Sequence, residues 1–530
     1  MKQVSALVFV ALFASSFAFV LTSISAKTTA FNLRGPIFIT SDTEFTAENG
    51  VVAGSGTADD PYVIAGWEIS VSEGNGIFIT GTTAHFVISE CHINGTANMP
   101  SVVTCVGFNG VSNGTVNQCT FNSTNCAVSV VSCSDCVIQE NDILGCIGWA
   151  MVIEYSSRVN VVNNYFMSAN GIQGLFWLES SALLNEFEWN EVCIGVNECD
   201  FLLVQENSAE SCGKLVSAGG CDYLQVFSNV ANNDLQYGIE FSGVMNSEVR
   251  GNRIEACLGT GMSIFNSNML VFSDNIVNGS MMGGFVMMNC EATVIGDNLI
   301  SNNSIVSPYA GGITLITCTN LTIYHNNFLF NTPMQAVDDR GSENLWNTSY
   351  PEGGNYWSNY VGFDNMQGPL QNLSGSDGIG DTPYDIDSDS KDFYPLYGPF
   401  DFNPGPVAVP IGIPLPANIS MDVTFDGSGS YHPNTPRRTI TGYRWDFDCD
   451  GKFDTGWSAD PTWVHRFTRP GNYTVVLEVM DSEGLTDMAT LETFVYLDEI
   501  PELPMVVLPV VALLAIVTLS HKRRSGNKGK

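Results

Sequence analysis

Apolar and polar positions repeat along this chain with a period in the low twenties. The clearest mark is an asparagine in the frame apolar-x-x-Asn-x-(apolar or small), which recurs at intervals of 23, 21, 22, 22, 23, 23, 23 and 28 residues. The positions are Asn141, Asn164, Asn185, Asn207, Asn229, Asn252, Asn275, Asn298 and Asn326. Short β-branched runs surround them, and such a repeat is typical of a solenoid with one coil per repeat. The pattern therefore predicts a parallel β-solenoid.

The same frame extends upstream with other residues at the key position, at Trp67, Cys91 and Cys119, which brings the count to twelve coils. Paired strands lie about 4.8 Å apart, so these coils predict a rod of roughly 55 Å in which like residues stack in columns. We interpret the asparagine column as structural, because stacked amides bond one another and asparagine tolerates the left-handed backbone of a corner.

A second column lies eight residues before the asparagines and is rich in cysteine. It contains Cys133, Trp177, Cys199, Cys221, Val244, Ser267, Cys290 and Cys318. The chain has fifteen cysteines, which would invite disulfides if it is exported, but these positions follow the register of the coils. We favour reduced, buried packing over bridges between coils.

The pattern changes after residue 333. Few β-branched residues occur between Gln335 and Phe400, where Asp, Gly, Asn and aromatic residues dominate, as in GGNYWSNY. An open solenoid end exposes unpaired backbone, so we interpret residues 334–402 as a C-terminal cap and not as another coil. Beyond it, the alternation from Tyr473 to Val479 predicts a half-buried antiparallel strand, and the short strands of 403–498 predict a β-sandwich.

The two ends of the chain predict export and anchoring. Residues 1–30 resemble a secretory signal peptide, with an early lysine, an apolar run and small residues after it. Residues 503–520 are apolar and just long enough to cross a bilayer, and the basic segment 521–530 favours a cytoplasmic C-terminus. Pro504 and Pro509 leave an alternative, in which the segment is a sorting signal that is cut and replaced by a lipid.

Several stretches resemble a known family. PIFITSDTEFTAENGVVAGSGTADDPYVIAGWEI (36–69), the coils, GNYWSNY and DGIGDTPY are similar to the right-handed β-helix surface proteins of archaea, which are related to the periplasmic copper-accessory protein NosD. The resemblance implies a right-handed parallel β-helix over residues 31–333 and export, but no single activity, because this fold carries many.

The segments FDGSGSYHP, YRWDFD and PGNYTVVLEVMDSEG resemble a PKD domain, an immunoglobulin-like module. The fold class expected for the chain is therefore all-β. It consists of a right-handed parallel β-helix, an immunoglobulin-like PKD β-sandwich and a C-terminal transmembrane helix.

The net charge of the chain limits the kinds of partner that its surface can bind. The net charge is −35, and only seven basic residues lie between residues 31 and 400. Such a surface repels nucleic acid and other polyanions, and it suits calcium or an acidic or salty medium. Ten Asn-x-Ser/Thr sequons agree with a glycoprotein displayed on a cell surface.

Two groups of aspartates have the spacing of metal ligands. Asp446, Asp448, Asp450 and Asp454 occupy positions 1, 3, 5 and 9 of a calcium loop with glycine at position 6. Position 12 is Trp457 and not glutamate, so we expect a weak calcium site, with a purely structural acidic turn as the alternative. Asp377, Asp381 and Asp385 in the cap form a looser calcium candidate.

For catalysis, stacked carboxylates are the candidates. The pairs are Asp200 with Asp222 and Asp274 with Asp297, and His325 follows the second pair one coil later. Stacking would place each pair about 5 Å apart, as in retaining glycosidases. We favour the interpretation that all four are solvated turn residues.

A copper site would need soft ligands. The cluster available consists of Met281, Met282, Met287, Met288 and Cys290. Thioethers and thiols bind Cu(I), but methionines at strand spacing usually fill a core, so copper is not expected.

The sequence thus favours binding over catalysis. We expect a membrane-anchored structural or adhesion protein of the cell surface that binds carbohydrate or neighbouring surface proteins and no nucleic acid. The alternatives are a polysaccharide-active lyase or hydrolase and a NosD-like copper-handling protein. The aromatic residues Trp346, Tyr356, Trp357 and Tyr360 are expected to seal the cap, with stacking on sugar rings as the alternative.

Overall fold

The computed structural model describes residues 31–95, 103–122, 125–233, 236–305, 309–400, 405–413, 415–419, 421–430, 439–482 and 484–496. They fall into two compact units, one of residues up to 159 with 164–174, the other of residues 160–163 with 175 onward. The predicted signal peptide (1–30), membrane anchor (503–520) and basic tail (521–530) lie outside the described residues. Within the described ranges, no helix combines the length and the apolar character that a membrane span requires.

Parallel strands form three columns in each unit, and each strand pairs in register with its counterpart one repeat away. Phe121 pairs with Ile143 in the first unit, and Ala209 pairs with Ala231 in the second. This in-register pairing confirms the predicted β-solenoid architecture.

Among the described residues, the first unit contains fifteen strands that lie wholly within it and two short 3-10 helices. The column after the asparagine corner consists of Asn32–Arg34, Trp67–Val71, His92–Gly95, Thr120–Asn122, Asp142–Leu144 and Tyr165–Met167. The other two columns consist of Ile37–Ile39, Gly74–Thr80, Val103–Asn109 and Cys126–Val131, and of Tyr62–Ala65, Phe86–Ser89, Gly114–Asn117 and Ser134–Gln139. Val51–Ala53 pairs antiparallel with Tyr62–Ala65, and the 3-10 helices are Asp42–Glu44 and Ala47–Asn49. The strands Trp149–Val162 and Asn170–Leu178 contribute residues to both units.

The second unit repeats the three columns. The first consists of Glu186–Glu188, Ser208–Glu210, Val230–Asn232, Arg253–Glu255, Ile276–Asn278, Leu299–Ser301, Asn327–Leu329 and Tyr356–Trp357. The second consists of Ile194–Asn197, Lys214–Gly219, Tyr237–Ser242, Thr260–Phe265, Phe285–Met288, Ile313–Ile316 and Ala336–Asp339. The third consists of Ser180–Leu183, Leu202–Gln205, Gln225–Phe227, Glu248–Arg250, Val271–Ser273, Val294–Gly296 and Thr322–Tyr324.

The asparagine column is confirmed within each unit. In the first, the backbone N–H and the Nδ2 of Asn141 donate to Oδ1 of Asn164 at 3.0 and 2.9 Å. In the second, the same two bonds link each asparagine to the next through Asn185, Asn207, Asn229, Asn252, Asn275, Asn298, Asn326 and Asn355. A corner N–H lies outside the strand ladder, so the buried side-chain acceptor is what satisfies it.

The left-handed residue at each corner is the one before the asparagine. The φ angle is +53° at Glu140, +54° at Glu206, +57° at Asp274 and +58° at Asp297, whereas the asparagines that follow have negative φ. The expectation that asparagine itself makes the left-handed turn is therefore wrong. The residue before the asparagine makes the bend. The backbone N–H and the side-chain amide of the asparagine can then both donate to the next asparagine of the column.

The cysteine column is buried, as predicted. Sγ of Cys199 and of Cys221 accept the backbone N–H of Trp177 and of Cys199, each at 3.4 Å, and Oγ of Ser267 accepts the N–H of Val244 at 3.1 Å. Cysteine and serine share this column because both place a hydrogen-bonding atom of the same reach at a buried corner.

Strand pairing continues beyond residue 333. Ala336–Asp339 pairs in parallel with Ile313–Ile316, and Tyr356–Trp357 pairs with Asn327–Leu329. The interpretation of this stretch as cap without a further coil is therefore wrong, because Asn355 continues the asparagine column. The repeat was hidden because this asparagine lies among glycines and aromatic residues and not in a β-branched run.

The remaining cap segment closes the column. Oδ2 of Asp392 accepts the N–H of Asn355 at 2.7 Å and the indole N–H of Trp357 at 2.9 Å, and its Oδ1 accepts the N–H of Tyr394 at 3.0 Å. Burial raises the pKa of Asp392 to about 7. Two antiparallel hairpins complete the cap, Met366–Gln367 with Leu373–Ser374 and Tyr384–Asp385 with Lys391–Asp392.

The predicted β-sandwich follows. One sheet consists of Ile411–Ile413, Val423–Asp426 and Thr462–His465, and the other of Ala417–Asn418, Thr486–Tyr496, Gly471–Asp481 and Ile440–Asp446. Its core includes Phe425, Trp445, Phe467 and Leu477. The strand predicted as half-buried is buried on both faces from Thr474 to Val479, because its second face packs against the β-helix.

Candidate functional site

Asp200 and Asp222 stack as predicted, but their carboxylates hold the coils together. The two residues form a parallel bridge, and Oδ1 of Asp200 accepts the N–H of Asp222 at 3.0 Å. Oδ1 of Asp222 accepts from Nδ2 of Asn246, one coil further on, at 2.7 Å. Both carboxylates therefore act as coil-to-coil acceptors.

Asp274, Asp297 and His325 occupy the left-handed corner position of three consecutive coils, so the structure brings the second predicted group together. Nδ1 of His325 lies 3.4 Å from Oδ1 of Asp297, and its Nε2 lies 2.8 Å from the carbonyl oxygen of Glu352. The imidazole also stacks on Phe400, with ring centroids 4.0 Å apart. A protonated imidazole donates to both oxygens, so this surrounding favours the imidazolium.

The electrostatics of this corner are unusual. Burial, followed by the charge of Asp297, raises the pKa of Asp274 to about 7, and Arg250 opposes the shift. Burial lowers the pKa of His325, but the bonds to Asp297 and to Glu352 outweigh it and leave the pKa raised. Burial and both aspartates raise the pKa of Tyr324. The group thus holds a carboxyl with a pKa of about 7 near an imidazole with a raised pKa, and such perturbed pairs are candidates for acid–base chemistry.

The sequence pattern did not predict two members of this group, Arg250 and Tyr324. The Tyr324 ring lies over Gly296, where a Cβ would come within 3.2 Å of it. The signal that was available is the in-register pairing of Gly296 with Tyr324, which a column-by-column alignment of the repeats gives.

Three of the four aspartates of the predicted calcium loop converge. Carboxylate oxygens of Asp446, Asp448 and Asp454 lie within 4.8 Å of one another. Burial, then the charges of Asp448 and Asp450, raises the pKa of Asp446 to about 8, and burial followed by Asp450 raises the pKa of Asp448 to about 6. Asp450 lies outside the converging group, and its Oδ1 accepts the N–H of Lys452 at 2.8 Å. Such a group has the donors that calcium prefers.

The cap aspartates do not converge. Asp377 accepts the N–H of Gly368 at 3.0 Å, Asp381 accepts the N–H of Met366 at 2.9 Å, and Asp385 pairs with Lys391. Each carboxylate serves a different turn, so the weaker predicted site is not assembled in this structure.

The soft-ligand cluster is also divided. Met287 and Cys290 lie in the core, whereas Met281 and Met282 are each 58% exposed. Of the cap aromatics, Trp346 and Trp357 are buried, and Trp357 stacks between Phe328 and Tyr384 with centroid distances of 4.5 and 4.3 Å. These two rings seal the cap, as expected.

Three family profiles match the chain. The profile described as periplasmic copper-binding protein (NosD) covers residues 184–362, the right-handed β-helix region covers 31–192, and the PKD domain covers 403–495.

Solved structures resemble parts of the chain. A structure on the promiscuous specificity of carbohydrate-binding modules from the β-sandwich superfamily is 31% identical over 18% of this chain, which spans only 35% of that one, with a TM-score of 0.16. The PKD1 domain of Vibrio anguillarum Epp is 26% identical over 18% of this chain and 98% of that domain, with a TM-score of 0.14. A point mutant of the periplasmic alginate epimerase AlgG is 13% identical over 61% of this chain and 97% of its own, with a TM-score of 0.38. The family profiles and the strand pairing together identify the chain as a right-handed β-helix protein with a PKD domain.

Proposed function

We propose that this protein is an exported structural or adhesion protein of an archaeal cell surface, anchored by residues 503–520, that binds carbohydrate or neighbouring surface proteins without catalysis. The observation that carries the proposal is that the polar side chains at the corners of the coils are engaged in contacts within the protein. The carboxylates of Asp200 and Asp222 are bonded to the next coil, and the His325 ring is covered by Phe400. Groups committed in this way hold a scaffold together and are poorly placed to attack a substrate.

Export is supported by the periplasmic description of the NosD family and by the resemblance of residues 1–30 to a secretory signal peptide. A carbohydrate partner fits a surface with few bases, because neutral glycans carry no charge for this surface to repel.

The test is to incubate the purified full chain with a panel of neutral and acidic polysaccharides in calcium, and to record both retention and new chain ends. We expect retention of at least one neutral polysaccharide and no new chain ends. New chain ends would overturn the non-catalytic proposal, and the absence of both signals would remove carbohydrate as the partner.

A polysaccharide-active enzyme is the second candidate, and the group around Asp274, Asp297 and His325 favours it. A carboxyl with a pKa of about 7 beside an Asp–His pair can supply both an acid and a base. If new chain ends appear, Asp297→Asn should reduce their formation by about 100-fold or more, since it removes the negative charge beside His325. Asp200→Asn is the matched control and should leave the rate unchanged.

Calcium binding is proposed at the loop that contains Asp446, Asp448 and Asp454. We expect Ca²⁺ to bind in the range of about 10⁻⁴–10⁻³ M, as in other extracellular modules that lack a full ligand set. By isothermal titration, Asp446→Asn should weaken this binding at least about tenfold, because the ion loses its most buried carboxylate. Asp460→Asn, an exposed substitution in the same domain, should have no effect. Equal affinities in all three proteins would place the calcium site elsewhere, and no binding to the wild type would remove calcium as a ligand.

A further inference from the structure

The PKD sandwich packs against a flank of the β-helix within the second unit. Val162 and Leu183 of the β-helix form an apolar cluster with Cys449, Val476 and Met488 of the sandwich. The partly buried side chains that pack against this cluster are Leu184, Leu203 and Phe453. Two hydrogen bonds extend the contact, from Oγ of Ser228 to the Thr486 carbonyl at 3.3 Å and from Nη2 of Arg250 to the Gly484 carbonyl at 2.9 Å.

Three acidic residues interact across this contact. Glu206 comes from a left-handed corner of the β-helix, and its charge is repelled by those of Asp487 and Glu478 of the sandwich. Apolar side chains on one side and like charges on the other make this an unfavourable place for a carboxylate.

The hydrogen bonds of Glu206 are incomplete. Oε1 accepts from Nε2 of the neighbouring Gln205 at 2.7 Å, whereas Oε2 is closed off from solvent and forms no hydrogen bond of ordinary geometry. The backbone N–H of Met488 lies close enough to oppose the rise of the pKa in part, but burial outweighs it. A buried carboxylate oxygen without a donor is costly, but a protonated carboxyl has an O–H that can donate to an acidic neighbour.

The nearby cations do not neutralise Glu206. Arg444 is bonded to Glu478 and lies over the rings of Phe453 and Trp457 at 3.8 and 4.5 Å from their centroids. Arg250, on the β-helix side, donates to Gly484 and lies near Asp274. Asp481 adds a further acidic group on that side of the sandwich.

We propose that Glu206 is a proton-dependent latch that holds the PKD domain on the flank of the β-helix in acid and releases it as the pH rises. Release separates two apolar surfaces, one centred on Val162 and Leu183 and the other on Val476 and Met488. The device would let the protein change from a closed to an open arrangement without a change in either fold.

Proton linkage gives the direction in which docking of the PKD domain changes with pH. Burial, then the charge of Asp487, raises the pKa of Glu206 well above its usual range in the docked arrangement. In the released arrangement the carboxyl faces water and returns to an ordinary pKa of about 4.3. The docked form therefore binds the extra proton, so docking is fully present below the ordinary pKa and weakens as the pH rises towards the raised one. One proton changes the docking equilibrium by at most about tenfold per pH unit.

The reactivity of the Cys449 thiol shows whether the PKD domain is docked or released. Its thiol is fully buried in the contact with Val162 and Leu183, so release exposes it. We would measure the rate of N-ethylmaleimide labelling of Cys449 by mass spectrometry in the full chain between pH 5 and 8. Glu206→Gln is the test variant, because the amide is uncharged at every pH and has the size of the protonated acid. The ratio of the wild-type rate to the variant rate cancels the intrinsic pH dependence of the thiol.

We expect this ratio to be lowest at pH 5 and to rise by up to about tenfold per pH unit above that, until the pH reaches the raised pKa of the docked form. Cys318, buried in the β-helix core, controls for global unfolding and should stay unlabelled throughout. Glu186→Gln, an exposed change on the β-helix, should behave as wild type. A ratio that stays at one at every pH would overturn the latch, and so would labelling of Cys449 and Cys318 at the same rate. Asp487→Asn, which removes the neighbouring charge, should reduce the pH effect if Glu206→Gln folds poorly.

Discussion

Replacing Asn252 by alanine is expected to lower the free energy of unfolding by about 3–5 kcal/mol. Oδ1 of Asn252 accepts both the backbone N–H and the Nδ2 of Asn229, at 3.0 and 2.9 Å, and its Nδ2 donates to the Val226 carbonyl at 2.8 Å. Alanine leaves the corner N–H of Asn229 buried without its acceptor, and it removes the side-chain bonds to Nδ2 of Asn229 and to the Val226 carbonyl. Each buried group left without a partner costs about 1–3 kcal/mol.

The measurement is denaturant unfolding followed by tryptophan fluorescence, together with hydrogen exchange of the coils on either side of residue 252. Solenoids can lose coils without unfolding completely, so exchange shows where the loss occurs. Asn197→Ala is the matched control, because Asn197 is exposed at the end of a strand, and it should cost less than about 0.5 kcal/mol. If the two variants lose the same stability, the asparagine column contributes little.

Replacing Asp392 by alanine is expected to cost about 3–4 kcal/mol and to loosen the cap before the coils. Three donors lose their acceptor, namely the N–H groups of Asn355 and Tyr394 and the indole of Trp357. Hydrogen exchange should rise first in residues 346–400. Asp389→Ala, an exposed change in the same segment, should leave exchange unaltered. Faster exchange in the coils than in the cap would contradict the role assigned to Asp392.

The cost of this substitution should also depend on pH. The pKa of Asp392 is about 7 in the folded protein, above its value of about 3.9 in the unfolded chain. The folded state therefore holds the proton more tightly, and the contribution of Asp392 is lost as the pH rises towards 7, by at most about 1.4 kcal/mol per pH unit. The difference between wild type and Asp392→Ala should be larger at pH 5 than at pH 8.

The coils were predictable because their signal is local and repeated. An inward asparagine every twenty-two or so residues fixes both the register and the column that it fills, as in the pairing of Asn207 with Asn229. The coil at Asn355 was not predictable in this way, because its core partners are Trp346 and Trp357 and not β-branched residues. Periodicity does not detect a repeat that keeps the asparagine but has aromatic residues in place of the β-branched residues around it.

The candidate site was predictable only as far as residues stack along one column. Asp297 and His325 lie at the same corner of consecutive coils, and their proximity follows from the period. The interaction of Glu206 with Asp487 joins residues far apart in sequence through the docking of a second domain, and no period relates them. The strand predicted as half-buried failed for the same reason, since Val476 and Glu478 face the β-helix and not water.

The asparagine column of the second unit is a one-way chain of donors and acceptors. The backbone N–H and one Nδ2–H of each asparagine donate to the asparagine one coil nearer the cap, so any molecule that offered an acceptor beyond Asn355 could continue the chain, and stacked coils of separate molecules could then grow into a fibre. Asp392 occupies that position. A carboxylate accepts but has no N–H to pass on, so the residue that stabilises the end of one β-helix also prevents it from serving as a template for the next.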